Sequence, residues 1–311
     1  MEQTKKDFYE TFNLGIEIEM ETNAPKNDEE SRRMSNTDLL KFKSDGSLKT
    51  TRGDTITIEL ISKIPWKKDE TEQKFIEEMK AALPEFESTE KVPIFAYQNK
   101  TAGTHYHFSF KKHKDETLWI FDTKDFQKFF FKRYITTFKS RKFLDRIKNR
   151  YCHAPSLDPA FAKSSDIKDN LKNISVSTFN DEYSKMSSGR RYRWLNTECI
   201  AQGTGIELRI FPHIQTYIGL AKLNEFVKQT LLDYYWKPQT QERLKLLQFY
   251  NKKVAQTGIE YTKLNDFKRL IWDALNLEQY DPALRTGEIR LILADWCQKQ
   301  PALICANDET L

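Results

Sequence analysis

The sequence predicts an α+β fold: a sheet with one polar and one apolar face, flanked by helices and followed by a helical C-terminal extension. Three observations carry this expectation. Four short segments alternate polar and apolar residues with period two, segments between them repeat apolar residues at helical spacing, and the chain after Gln215 is helical in pattern almost throughout. The expected division is a domain over residues 1–236 and a helical extension over 237–311.

The first strand segment is Gly15-Ile16-Glu17-Ile18-Glu19-Met20. Because side chains alternate along a strand, Ile16, Ile18 and Met20 share one face, and Glu17 and Glu19 the other. Residues 21–38 lack either periodicity and read as a long loop. Ile56-Thr57-Ile58-Glu59-Leu60 repeats the alternation with Glu59 on the polar face, and a helix is expected from Asp69 to Leu83, stopped by Pro84. In His105-Tyr106-His107-Phe108-Ser109-Phe110 both histidines and Ser109 oppose three aromatics. Thr123 to Phe138 carries a broad aromatic helical face. The basic residues interleaved from Phe126 to Arg150, Arg146 among them, read as the solvated outer face of a helix pair, which argues against nucleic acid. Residues 180–193 form a second long loop, and Ile206-Glu207-Leu208-Arg209-Ile210 is the last alternating segment. Helices are then expected over 216–235, 241–254, 263–277 and 287–299.

Composition bounds the function. A chain of 311 residues with 39% hydrophobic and 31% charged residues can bury a sizeable core, which excludes a disordered tail. Lys and Arg exceed Asp and Glu by 50 to 45, a surplus that suits an anionic substrate but falls far short of a basic nucleic-acid arm. Four scattered cysteines form no C-x-x-C pair, so neither a zinc site nor a disulfide framework is expected. The first fifteen residues lack the apolar run of a signal peptide, and no stretch approaches the roughly 20 apolar residues of a membrane span. The expected location is the cytoplasm.

The polar faces carry the chemistry. Two glutamates two apart on one strand have Cβ atoms roughly 6–7 Å apart, so burying both as anions is costly unless cations lie between them. Glu59, Glu207 and Asp45, in the turn-like Ser44-Asp45-Gly46-Ser47, add three more carboxylates. If these elements share one sheet face, five carboxylates converge with Arg209 and at most two histidines, His105 and His107. Oxygen-rich surroundings of this kind suit Mg²⁺ or Mn²⁺ better than zinc. Each segment alone has an ordinary explanation, as an edge strand's outer face, a cross-strand ion pair or a plain turn. Their joint occurrence on four strands favours a site.

The order of these segments, with Ala102-Gly103-Thr104 preceding His105, resembles the amidoligase branch of the glutamine synthetase and glutamate-cysteine ligase superfamily over about residues 10–236. His105-Tyr106-His107-Phe108-Ser109 is similar to the histidine strand of bacterial glutamate-cysteine ligases. The resemblance implies an antiparallel sheet curved into a half-barrel, holding ATP and two or three divalent ions. Glu19, Asp45 and Glu59 would hold one ion and Glu17, His105 and Glu207 a second, while Arg209 would contact the transferred phosphate. His107 is a further candidate, at a position where amidoligases commonly carry a histidine. Arg190-Arg191-Tyr192-Arg193-Trp194-Leu195-Asn196 resembles the segment before the last acidic strand of amidoligases, so Arg191, Arg193 and Asn196 are expected at the nucleotide or a substrate carboxylate. A solvated basic loop accounts for the two arginines equally well.

The implied activity is ATP-dependent joining of a carboxylate to an amine through an acyl phosphate. Phosphoryl transfer is mainly positioning and charge neutralisation, which needs no nucleophilic side chain. The substrate would be an amino acid, peptide or protein, with a partner enzyme or a second copy of the chain as candidate associates. A metal-dependent phosphohydrolase or nuclease, and a non-catalytic binding module on a ligase fold, are the competing readings.

Overall fold

A computed structural model describes residues 8–44, 46–112, 117, 120–121, 124–138, 140, 142–143, 146, 194–196, 205–241 and 244. Its elements run α1 (Phe8–Thr11), β1 (Phe12–Asn23), α2 (Asp28–Arg33), β2 (Leu40–Ser44), β3 (Thr55–Ser62), α3 (Asp69–Ala82), β4 (Phe86–Glu87), β5 (Pro93–Ile94), β6 (Gly103–Phe110), α4 (Lys124–Thr137), β7 (Leu195–Asn196), β8 (Ile206–Pro212) and α5 (Tyr217–Tyr235). Six strands form one open sheet in the order β2-β3-β1-β6-β8-β7, every neighbour antiparallel. β4 and β5 pair separately. No helix among the described residues is long and apolar enough to cross a membrane.

The α+β expectation holds, and the four alternating segments are the four contiguous central strands. Their apolar faces are buried together: Phe12, Leu14, Ile16, Ile18, Met20, Leu60, Tyr106, Ile206, Leu208 and Ile210 are fully covered. Helices α3, α4 and α5 supply the cover through Phe75 and Met79, Phe126, Phe130 and Tyr134, and Leu223, Val227 and Tyr234. Aromatic rings knit this layer, with Phe121 edge-on to Phe108 at 4.9 Å and to Phe126 at 4.9 Å between centroids.

Behind β6 a polar hub ties the layers. Tyr9 donates to Glu72 Oε2 at 2.6 Å, Lys228 to the same oxygen at 2.9 Å, and Asn224 to Glu72 Oε1 at 2.8 Å. Tyr106 donates to Asn224 Oδ1 at 2.5 Å. Burial works against the Lys228 charge, but the bond and charge of Glu72 outweigh it and raise its pKa.

Two expectations are corrected. Residues 21–38 are not one loop: β1 continues to Asn23, and α2 occupies Asp28–Arg33, started by Asn27 whose side chain accepts from Glu30 N at 2.9 Å. Arg146 does not lie on a solvated helix face but is buried, 4% exposed. The 180–193 loop and the helices expected beyond Tyr235 lie outside the described residues, save Gln241 and Leu244.

Gly205, which leads into β8, has φ +89°, and a Cβ there would overlap the Phe108 carbonyl oxygen. The left-handed backbone alone disfavours a side chain by about 1–2 kcal/mol. Gly205→Ala should lower the unfolding free energy from denaturant titration by at least that amount, whereas Gly53→Ala, where an added Cβ meets nothing within 4 Å, should leave it within about 0.5 kcal/mol of the parent.

Candidate metal centre

The register of the central strands assembles the site. Glu17 lies opposite His105, Glu19 opposite Glu59, His107 opposite Glu207, and Glu207 opposite Asn196. Because all these residues lie on the face away from the helices, antiparallel pairing turns four sequence-distant segments into one row of ionisable groups. Gly15 makes room for it: it stands opposite His107, and a Cβ there would press Ser62 Oγ at 3.0 Å.

Glu17 is the centre of the row. Its Oε1 meets His105 Nδ1 at 3.0 Å and its Oε2 meets His107 Nε2 at 3.6 Å. Burial raises the Glu17 carboxyl, but the hydrogen bonds and charges of the two histidines win and lower its pKa far below the usual carboxylate range. Glu207 Oε1 lies 3.3 Å from His105 Nδ1 and accepts from Arg209 Nη1 at 2.6 Å, while Glu207 Oε2 accepts from Asn196 Nδ2 at 2.8 Å. Burial raises the Glu207 pKa as well, and the charges of His105, Arg209 and His107 outweigh it, so it too is lowered. His105 is fully buried, and its Nε2 has no hydrogen-bond partner among the described residues; the Glu19 Oε2 atom stands 3.9 Å away. In the neutral tautomer that donates Nδ1–H to Glu17, the imidazole would present the Nε2 lone pair, the arrangement by which carboxylates orient metal-binding histidines.

Two groups have ligand atoms within 4.8 Å of one another: Glu17, Glu19 and His105, and Glu17, His107 and Glu207. Each offers two carboxylates and one imidazole, and Glu17 belongs to both. A carboxylate whose two oxygens face two such groups is placed to bridge two cations. The donor chemistry and the unpartnered His105 Nε2 fit Mn²⁺ or Mg²⁺.

The expected residues sort as follows. Glu17, Glu19, His105, His107 and Glu207 come together. Among the described residues Glu19 groups with Glu17 and His105, and His107 with Glu17 and Glu207, while the expected trio of Glu19, Asp45 and Glu59 reaches beyond them at Asp45. Glu59 lies opposite Glu19 in register, with its carboxylate 3.8 Å from Lys43 Nζ on β2. Arg209 and Asn196 both engage Glu207. Asp45, Arg191 and Arg193 lie outside the described residues.

Sequence reading missed Glu21, next but one on the same strand face. It is fully buried and accepts from Thr51 N at 2.7 Å, Thr51 Oγ1 at 2.9 Å, Thr55 Oγ1 at 2.6 Å and Asn99 Nδ2 at 3.1 Å. These bonds outweigh burial and lower its pKa. Its four neutral donors make it a structural carboxylate that fastens the Thr51–Thr55 turn. His213 was missed too: it is buried, its Nδ1 lies 3.1 Å from the Glu19 carbonyl, and burial, with the charge of Lys142, pushes its pKa down to about 4.

No protein-family model matches the chain, and neither a curated protein nor a solved structure is significantly similar to it.

Glu21→Gln turns an amide NH₂ toward the hydroxyl and amide donors and should cost about 1–3 kcal/mol at neutral pH. Since the folded pKa lies below the ordinary 4.5, the carboxylate's contribution is complete above pH 4.5 and is lost as pH falls through the folded value. The stability gap between parent and variant, measured by urea unfolding, should therefore narrow only below pH 4.5.

Proposed function

We propose that the chain is an ATP-dependent carboxylate-amine ligase that works through a divalent metal centre on the polar face of its sheet. The observation that carries this reading is Glu17, set between His105 and His107 with Glu19 and Glu207 completing two adjoining ligand groups. The order of the sequence segments, which resembles that of amidoligases, supplies the reaction class. Bound Mg²⁺ or Mn²⁺ would neutralise phosphate oxygens and make the terminal phosphoryl group a better electrophile.

The chain's own residues would divide the remaining work. Glu17, Glu19 and His105 hold one ion, and Glu17, His107 and Glu207 the other. Asn196 and Arg209 fix the two oxygens of Glu207, so that this buried carboxylate keeps one orientation. Arg209 stands at the second group as the cation for the transferred phosphoryl group. The substrate carboxylate would attack the terminal phosphate, releasing ADP, and the amine would then displace phosphate from the acyl phosphate.

Two measurements test the proposal. Mn²⁺ titration should give saturable binding that Glu17→Gln weakens at least about 10-fold, because one carboxylate serves both groups. With ATP, Mg²⁺, hydroxylamine and a panel of amino acids and peptides, the protein should form a hydroxamate with ADP and phosphate in equal amounts. AMP and pyrophosphate, or phosphoester cleavage without a hydroxamate, would move the site to adenylating or hydrolytic chemistry. Metal binding with no turnover of any nucleotide would leave a binding module.

A further inference from the structure

Arg146 is a buried cation that the metal centre leaves unexplained. It is 4% exposed, its Nη1 and Nη2 reach only the carbonyl oxygens of Ala102 and Arg209, each at 3.4 Å, and its Nε has no acceptor among the described residues. No carboxylate among the described residues lies within ion-pair distance of it; Glu17, Glu19 and Glu207 pair instead with His105, His107 and Arg209. An uncompensated buried charge is strongly unfavourable, so this guanidinium calls for an anion that the described protein groups do not supply.

Its position says where that anion lies. Gly103 N donates to Glu19 Oε2 at 2.8 Å, and a Cβ on Gly103 would overlap Arg146 Nη2 and stand 2.9 Å from His105 Nε2. Guanidinium, imidazole and carboxylate therefore meet over this one glycine, beside the first ligand group. Lys142 precedes Arg146 by four residues, and the positive charge of both is felt at His213. A guanidinium next to a cation-binding group is repelled by the bound cation unless an anion sits between them.

We infer that Arg146 anchors a phosphoryl group at the edge of the candidate metal centre. A tetrahedral phosphoryl group directs its oxygens apart, so one can take the guanidinium while another faces the Glu19 and His105 group; the two oxygens of a carboxylate share one plane. The need for an anion stands on the burial of Arg146 alone. That the same anion also meets the metal rests on the function proposed above.

The test compares the parent with Arg146→Met, measuring thermal stability and calorimetric binding of pyrophosphate, ATP and glutamate, first in EDTA and then with Mg²⁺. Pyrophosphate and ATP should stabilise the parent in EDTA, and Arg146→Met should weaken that binding about 10- to 100-fold. Without any anion the variant should melt at or above the parent, because the substitution removes a buried charge that is unpaired among the described residues. Equal affinity for the two phosphates would identify a free polyphosphate as the ligand, and tighter ATP binding a nucleotide; either supports the inference. A variant that fails to fold, melts below the parent without anion, or keeps parental phosphate binding would make Arg146 structural and overturn it. Stabilisation by glutamate but not by pyrophosphate would overturn it in favour of a carboxylate clamp. Phosphate binding through Arg146 in EDTA, with no hydroxamate formed under any condition, would sink the ligase proposal and leave this inference standing.

Discussion

The crowding of negative charge on one face of β1 is the constraint around which the rest of this structure is arranged. Glu17, Glu19 and Glu21 follow one another on that face, and Glu207 joins them from β8. Three of the four are rendered tolerable by different devices. Glu21 is dissolved in neutral hydrogen bonds, Glu207 is fixed between an amide and a guanidinium, and Glu17 is flanked by two imidazoles. Three carboxylates, two on β1 and one on β8, thus have three chemical fates, decided by the donors around them.

The central sheet was legible because its strands alternate strictly: β1, β3, β6 and β8 each bury one parity of side chain against helices, and burial on one face is what imprints a period of two on a sequence. Its edges were not. β2 alternates over only Leu40-Lys41-Phe42-Lys43, too short a run to stand out, with exposed lysines that protect an edge from pairing further, and β7 is only two residues. α2 escaped notice for a related reason, since none of its residues is buried and it has no apolar stripe to betray it.

The candidate centre is legible as far as residue type and strand parity take it, since Glu17, Glu19, His105, His107 and Glu207 all stand at polar positions of alternating segments. Register was the missing information. It decides that Glu17 stands between His105 and His107, and that Glu59 faces Glu19 with Lys43 at hand. Glu21 was lost because the alternation dissolves into polar sequence after Met20, although the strand continues. Arg146 and His213 carry no local signal at all. One basic residue among many on a helical pattern looks solvated, and only the tertiary placement of Gly103 and Glu19 turns them inward.

Tyr106 sits between the two histidines of β6, and its side chain leaves the sheet on the opposite face to reach Asn224, which in turn holds Glu72. The ligand strand is therefore fastened from the rear by a chain of bonds running into α5 and α3, with the N-terminal helix attached through Tyr9. Opening β6 would require breaking this buried hub as well as the strand ladder on both sides, which places its amides among the last to exchange with solvent. Loosening of the polar face is thereby coupled to melting of the helical layer, so a lesion in α3 or α5, far from Glu17 and His105, would reach those side chains through β6.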